Sequence, residues 1–127
     1  MNAAQLFDRA KLVAEQAYAP YSHFQVGCAL ITNSGSLFTG CNVENASYGL
    51  TICAERNAVF HAVAEEGPGM KIATLAVIAL GQAFPPCGAC RQVIAEFATP
   101  ETRVCFLRDG NPVVMSMAEL LPAGFRI

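Results

Sequence analysis

Two short segments constrain this chain more than anything else in it: Cys53-Ala54-Glu55 and Pro86-Cys87-Gly88-Ala89-Cys90. Pro86 supports a helix start, and cysteines at i and i+3 of that helix face the same way, so both sulfurs can reach one ion. A fold that also uses Cys53 must bring two distant stretches of chain to one point. Zinc closed by four protein ligands is usually structural, whereas zinc held by three leaves a position for water and can do chemistry. Glu55 follows Cys53 too closely to be a comfortable fourth ligand, but is well placed to reach water at the same ion. The spacing therefore reads as a hydrolytic site: Cys53, Cys87 and Cys90 hold one Zn²⁺, and Glu55 moves protons.

Each cysteine segment also reads as a helix start, where free N–H groups and the positive end of the helix dipole favour thiolates. Three thiolates leave the metal site net negative, which calls for a nearby cation. Arg56 and Arg91 are the candidates, and the i, i+3 relation to Cys53 favours Arg56 as the group that supports the ligands. Cys28, Cys41 and Cys105 sit in strand-like apolar contexts, where a free thiol behaves as a small hydrophobe. A redox role for Cys87 and Cys90 competes with metal binding, yet it gives Cys53-Ala54-Glu55 no purpose. A non-catalytic zinc module would need a fourth protein ligand.

At 127 residues the chain reads as one domain spanning 1–127, with a core that buries roughly 65–70% of the unfolded surface. It is 54% hydrophobic and 14% charged, less polar material than a small monomer needs to cover itself. Apolar surface between subunits is expected. No run approaches the roughly 18–20 apolar residues of a membrane span, and the first residues lack the pattern of a signal peptide, so the expected compartment is the cytoplasm. A net charge of −2 with no Lys/Arg run argues against a nucleic-acid partner and suits a small neutral substrate.

Periodicity predicts a helix over about 3–18. Strands at 24–32 and 37–41 form a hairpin through Asn33-Ser34-Gly35, and a helix over 53–66 ends at Gly67-Pro68-Gly69. The apolar run 72–80 suits a strand covered on both faces. A helix over 87–97, strands at 104–107 and 113–115, and a short helix at 117–121 complete the chain. This order predicts an α/β fold, a three-layer sandwich with a mixed five-stranded sheet covered by helices.

The cysteine and glutamate segments resemble the zinc-dependent nucleoside deaminases in their three-cysteine form with a non-ligand glutamate. Across nearly its whole length the chain is similar to the small homotetrameric cytidine deaminases. The matching segments are Pro20-Tyr21-Ser22 with Phe24 and Val26-Gly27, Asn42 to Tyr48, Cys53 to Arg56, Pro86 to Gln92, and Leu120-Leu121-Pro122 with Phe125. Pro85 departs from the serine common before Pro-Cys. The resemblance implies hydrolytic deamination of cytidine and deoxycytidine to uridine and deoxyuridine with release of ammonia. It implies Zn²⁺ as cofactor, a nucleoside substrate and a homotetramer with shared sites.

By the same resemblance, Asn42 and Glu44 bind the ribose hydroxyls and Phe24 packs near sugar and base. It further implies that Ala46, Tyr48 and Phe125 reach a neighbouring subunit's pocket; backbone amides around Ala54 and the Cys87 helix start are expected to orient the exocyclic amine and the ring carbonyl. The residues agree in part on their own terms, since an amide and a carboxylate two apart in an extended loop point to one side and suit a diol. Deamination of another cytosine nucleoside, such as blasticidin S, is the competing activity; Arg56 and Phe125 fit it less well.

Overall fold

The computed structural model describes residues 1–82 and 85–127. Helix α1 (Ala3–Ala14) begins at a capping box in which Asn2 and Gln5 exchange side-chain and backbone hydrogen bonds. Its buried stripe is Leu6, Ala10 and Ala14, at intervals of about one turn. The helix stops short of the predicted end because Tyr18 is drawn into extended pairing: its N–H donates to the Asn42 carbonyl (3.1 Å) and its carbonyl accepts from Glu44 N–H (2.8 Å).

Strands β1 (Val26–Thr32), β2 (Leu37–Cys41), β3 (Ile72–Ala79), β4 (Ala98–Arg108) and β5 (Asn111–Ser116) form one sheet in the order β2-β1-β3-β4-β5. Only β3 and β4 pair in parallel, so the sheet is mixed as predicted. Helices α2 (Ala54–Glu66), α3 (Gly88–Glu96) and α4 (Met117–Leu120) complete the order, with a 3₁₀ turn at Tyr48–Leu50.

Strand alternation sorts side chains between two cores. Cys28, Leu30, Leu75, Val77, Val104 and Phe106 pack under α2, α3 and α4. Ala29, Ala76 and Cys105 pack under α1 with Leu6 and Ala10. Helices on both faces explain why β3 reads as a nearly continuous apolar run. The three layers match the expected sandwich.

Strand β4 starts earlier than the predicted 104. Ala98 pairs with Ile72 and Arg103 with Thr74, and the register shifts between them. The irregularity, with Pro100 inside it, hides the first part of the strand from a reading based on alternation.

Two glycines set how closely helices approach the sheet. A Cβ on Gly27 would lie 1.9 Å from the Ala10 carbonyl oxygen, and one on Gly40 would lie 2.4 Å from the Ala58 nitrogen. Their absence lets α1 settle on β1 and α2 on β2. The start of α2 then reaches the sheet end where β2 finishes, β1 begins and β3 finishes, since Gly27 pairs with Cys41 and Val26 with Ala79. Among the described residues no helix is long and apolar enough to cross a membrane.

Candidate active site

Cys53 is the N-cap residue of α2 (φ −70°, ψ 155°) and Cys87 that of α3 (φ −66°, ψ 166°). Thiols thus occupy positions usually held by Ser, Thr, Asp or Asn, where the first-turn N–H groups stabilise negative charge. Cys90 follows in the first turn of α3, and its N–H donates to Cys87 Sγ at 3.5 Å. The sulfurs of Cys53, Cys87 and Cys90 all lie within 4.8 Å of one another. Zn–S bonds of about 2.3 Å in a tetrahedral site place sulfurs about 3.8 Å apart, inside that limit.

The charge distribution also fits a divalent cation. The Cys53 thiol is lowered to about 5, first by a hydrogen bond from Cys90 and then by the Arg56 guanidinium, against the effect of burial. Cys90 moves the opposite way because its thiol donates to Cys53 and is buried beside Glu55. The cluster therefore carries a thiolate braced by a neighbouring proton, and a metal ion can take that proton's place. Arg56 Nη2 donates to Cys53 Sγ at 3.1 Å, while its buried Nε has no hydrogen-bond partner among the described residues. Arg91, the other candidate cation, is used elsewhere: Nε donates to the Pro86 carbonyl (2.7 Å) and Nη1 to the Leu120 carbonyl (2.9 Å). It braces the chain just before Cys87.

Glu55 is 3% exposed. Burial raises its carboxyl above the ordinary range, and the negative charge of Cys53 adds to the effect. A carboxyl held this way can keep or release a proton under mild conditions, as an acid-base group requires. Cys28 lies in the core under α2 and Cys105 in the core under α1. Cys41 is half-buried at the end of β2, where its carbonyl accepts from Asn57 Nδ2 at 2.8 Å. None of the three joins the cluster among the described residues.

Next to the sulfurs lies a chamber of about 200 Å³, lined by Val26, Asn42, Glu44, Thr51, Cys53, Ala54, Glu55 and Cys87. A second chamber of about 370 Å³, lined by Tyr21, Ser22, Glu44, Tyr48 and Thr51, shares Glu44 and Thr51 with it. The loop carrying Asn42 and Glu44 is extended because it is paired on both sides, with Tyr18 and with Ile52. Val43 and Ile52 exchange two backbone hydrogen bonds of 3.0 Å. Alternation then turns Val43 outward and Asn42 and Glu44 inward.

Both side chains are held before any ligand arrives. Asn42 Oδ1 accepts from Val26 N–H and Nδ2 donates to the Phe24 carbonyl, each at 2.8 Å. Glu44 Oε1 accepts from the N–H groups of Tyr21 (2.9 Å) and Ser22 (3.1 Å), and Oε2 accepts from the Ser22 hydroxyl. These bonds, the Ser22 hydroxyl first, hold the Glu44 carboxyl below its ordinary value.

The fold thus gathers Cys53, Ala54, Glu55, Cys87, Asn42 and Glu44 around one chamber, with Cys90 and Arg56 at the sulfurs. Other sequence candidates lie farther out. Phe24 is 44% exposed and meets the site through its backbone. Tyr48, 76% exposed, lines the outer chamber and meets Tyr21 edge to face at 6.0 Å between ring centroids. Ala46 is exposed and lines neither chamber. Phe125, 68% exposed, lines a separate groove with Ala95, Met117 and Leu121, away from its own chain's sulfurs. Ser22 and Thr51 were not assigned from sequence. Ser22 meets Glu44 across 22 positions, so no local periodicity could have linked them.

The family model described as the cytidine and deoxycytidylate deaminase zinc-binding region matches residues 1–106, which include Cys53, Cys87 and Cys90. A cytidine deaminase of Halalkalibacterium halodurans is 45% identical over 126 residues, covering 98% of this chain and 95% of that protein. The crystal structure of cytidine deaminase from Burkholderia pseudomallei superposes with a TM-score of 0.89 at 48% identity, covering 98% of this chain and 100% of the other. That of Mycobacterium tuberculosis gives 0.87 at 37% identity, covering 100% and 99%. With the three-sulfur zinc cluster in place beside a buried glutamate, the chain belongs to the zinc-binding cytidine deaminase family.

Proposed function

We propose that residues 1–127 act as one catalytic domain that deaminates cytidine and deoxycytidine hydrolytically, giving the uridine products and ammonia. The observation that carries this reading is a cluster of three sulfurs, with no fourth ligand among the described residues, beside a buried acid and a chamber. Cys53, Cys87 and Cys90 hold zinc. Bound there, zinc supplies Lewis-acid activation of water toward a nucleophile near neutral pH.

Glu55 accepts a proton from the attacking water as its oxygen bonds to C4 of the pyrimidine, and delivers that proton to ring N3. The carboxylate then takes the remaining proton from the oxygen bonded to C4 and passes it to the exocyclic amine as the C4–N bond breaks, which leaves the C4 carbonyl and free ammonia. Backbone at Ala54 orients the ring. The inner chamber falls below the roughly 300 Å³ usual for ligand sites. The base therefore occupies it and the sugar extends toward Asn42, Glu44 and the outer chamber, with Phe24 flanking it. Arg56 offsets the negative charge of the thiolates.

The exposed rings around the outer chamber favour a homotetramer in which Ala46, Tyr48 and Phe125 help close a neighbour's site. The cytoplasm is the compartment that suits reduced thiols of this kind. Ultraviolet absorbance on incubation with cytidine, deoxycytidine, cytosine and CMP tests the activity, with turnover expected for the two nucleosides. Glu55→Ala should retain zinc and lose at least about 10²- to 10⁴-fold in kcat, the range of acid-base catalysis. Near-normal kcat in a zinc-loaded Glu55→Ala protein would refute the mechanism.

A further inference from the structure

Glu44 is an unusual wall residue, because most of its acceptor capacity is consumed by its own chain. An ionised carboxylate offers about four acceptor positions. Two on Oε1 are taken by the N–H groups of Tyr21 and Ser22, and one on Oε2 by the Ser22 hydroxyl. The backbone bonds both fall on Oε1 and leave the carboxylate free to pivot about it. The hydroxyl on Oε2 removes that freedom. It is itself oriented, since Ser22 Oγ accepts from the Phe24 N–H at 3.0 Å. This local closure requires a sharp bend, and His23 between the two residues has φ +61°, in the left-handed region.

We infer that Ser22 is a positioning residue for substrate recognition: its hydroxyl fixes the plane of the Glu44 carboxylate so that Oε2 presents one acceptor to one sugar hydroxyl in the chamber. Through its link to the Phe24 N–H, the same hydroxyl couples two flanks of the sugar site. Ser22 touches neither the sulfurs nor Glu55, so it acts on binding and not on the chemical step. The inference rests on the nucleoside reading above, whose failure and its own are read separately.

The experiment compares wild type, Ser22→Ala and Ser22→Thr, each checked for zinc content, with cytidine and 2′,3′-dideoxycytidine as substrates. Loss of a hydrogen bond to a charged group raises KM for cytidine on the order of tenfold in Ser22→Ala, with kcat unchanged. Ser22→Thr, which keeps the hydroxyl, restores KM. Dideoxycytidine keeps only the 5′ hydroxyl and lacks the 2′ and 3′ hydroxyls that Glu44 would bind, so its KM is the same in all three proteins. In parallel, ¹³C NMR of the side-chain carboxyls, with Glu44 identified from its loss in Glu44→Gln, shows a rise of the Glu44 titration in Ser22→Ala.

A Ser22→Ala penalty equal for both nucleosides would mean a general structural role and would overturn the inference. An unchanged KM for cytidine, or an unmoved Glu44 titration, would overturn it as well. If wild type turns over neither nucleoside, the nucleoside reading fails and the sugar-positioning role fails with it, while the titration still reports whether the Ser22–Glu44 bond exists.

Discussion

At the scale of single residues, the site depends on which thiols are surrounded by donors and which by hydrocarbon. Cys53 and Cys87 cap helices and Cys90 follows within a turn, whereas Cys28 and Cys105 lie in core where burial pushes the thiol up. Position, not residue type, decides the chemistry. Alanine at Cys53, Cys87 or Cys90 should therefore abolish zinc binding and turnover together. Alanine at Cys28 or Cys105 should leave zinc stoichiometry intact and cost on the order of 1 kcal/mol in stability from lost buried volume. Metal analysis with denaturant titration checks both, and full zinc in Cys53→Ala or missing zinc in Cys105→Ala would contradict the ligand set.

At the scale of elements, α2 is tied at both ends to the β1–β2 hairpin, by Asn57 to the Cys41 carbonyl at its start and by Glu66 at its far end, and the far tie is sensitive to acid. Glu66 in its last turn accepts from Thr32 Oγ1 (2.9 Å) and Ser34 Oγ (2.6 Å) at the β1–β2 turn. These hydroxyls, Ser34 first, hold its carboxyl below the ordinary range. A depressed folded value means stability present above the unfolded value of roughly 4.3 and lost as pH falls through the folded value. Glu66→Gln should thus lower the Tm near neutrality, and the gap from wild type should narrow as the pH falls below about 4.3 and on through the lower folded value. Thermal melts across that range decide it; a gap that stays constant would show that charge plays no part. In α3, Arg91 ties the helix to the Pro86 and Leu120 carbonyls, so the approach to Cys87 is braced by α4 as well.

At the scale of the whole molecule, apolar surface remains on one chain alone. Leu12, Tyr18, Tyr48, Leu50 and Val114 are each more than half exposed, and the outer chamber beside Tyr48 is open. A closed symmetric assembly would cover such surface and complete the site. Sedimentation should give a homotetramer, and Phe125→Ala should weaken substrate binding without loss of zinc. Mixing Glu55→Ala with Phe125→Ala subunits tests the shared site directly: recovered activity places Phe125 across an interface, and none places it within its own chain. A fully active monomer would rule out the assembly.

The sequence by itself determined the metal-binding residues, the acid beside them and the layered class of the fold. These are local signals: thiols at i and i+3 after a proline, a glutamate beside a cysteine, and apolar periods that separate helix from strand. It also carried Asn42 and Glu44 on one side of an extended segment, because alternation needs no partner to be legible. The tertiary structure alone decided what pairs with that segment, and so why α1 ends at Ala14 while Tyr18 turns extended. The i, i+3 spacing already favoured Arg56 for the sulfurs, and Arg56 does donate to Cys53; what the structure alone decided is that Arg91 is spent on the Pro86 and Leu120 carbonyls. It also placed Ser22 on Glu44, across 22 positions of chain. Contacts of this kind form where the sheet and its helices bring distant backbone together, and hydrogen bonding across such distances leaves no period in the sequence to read.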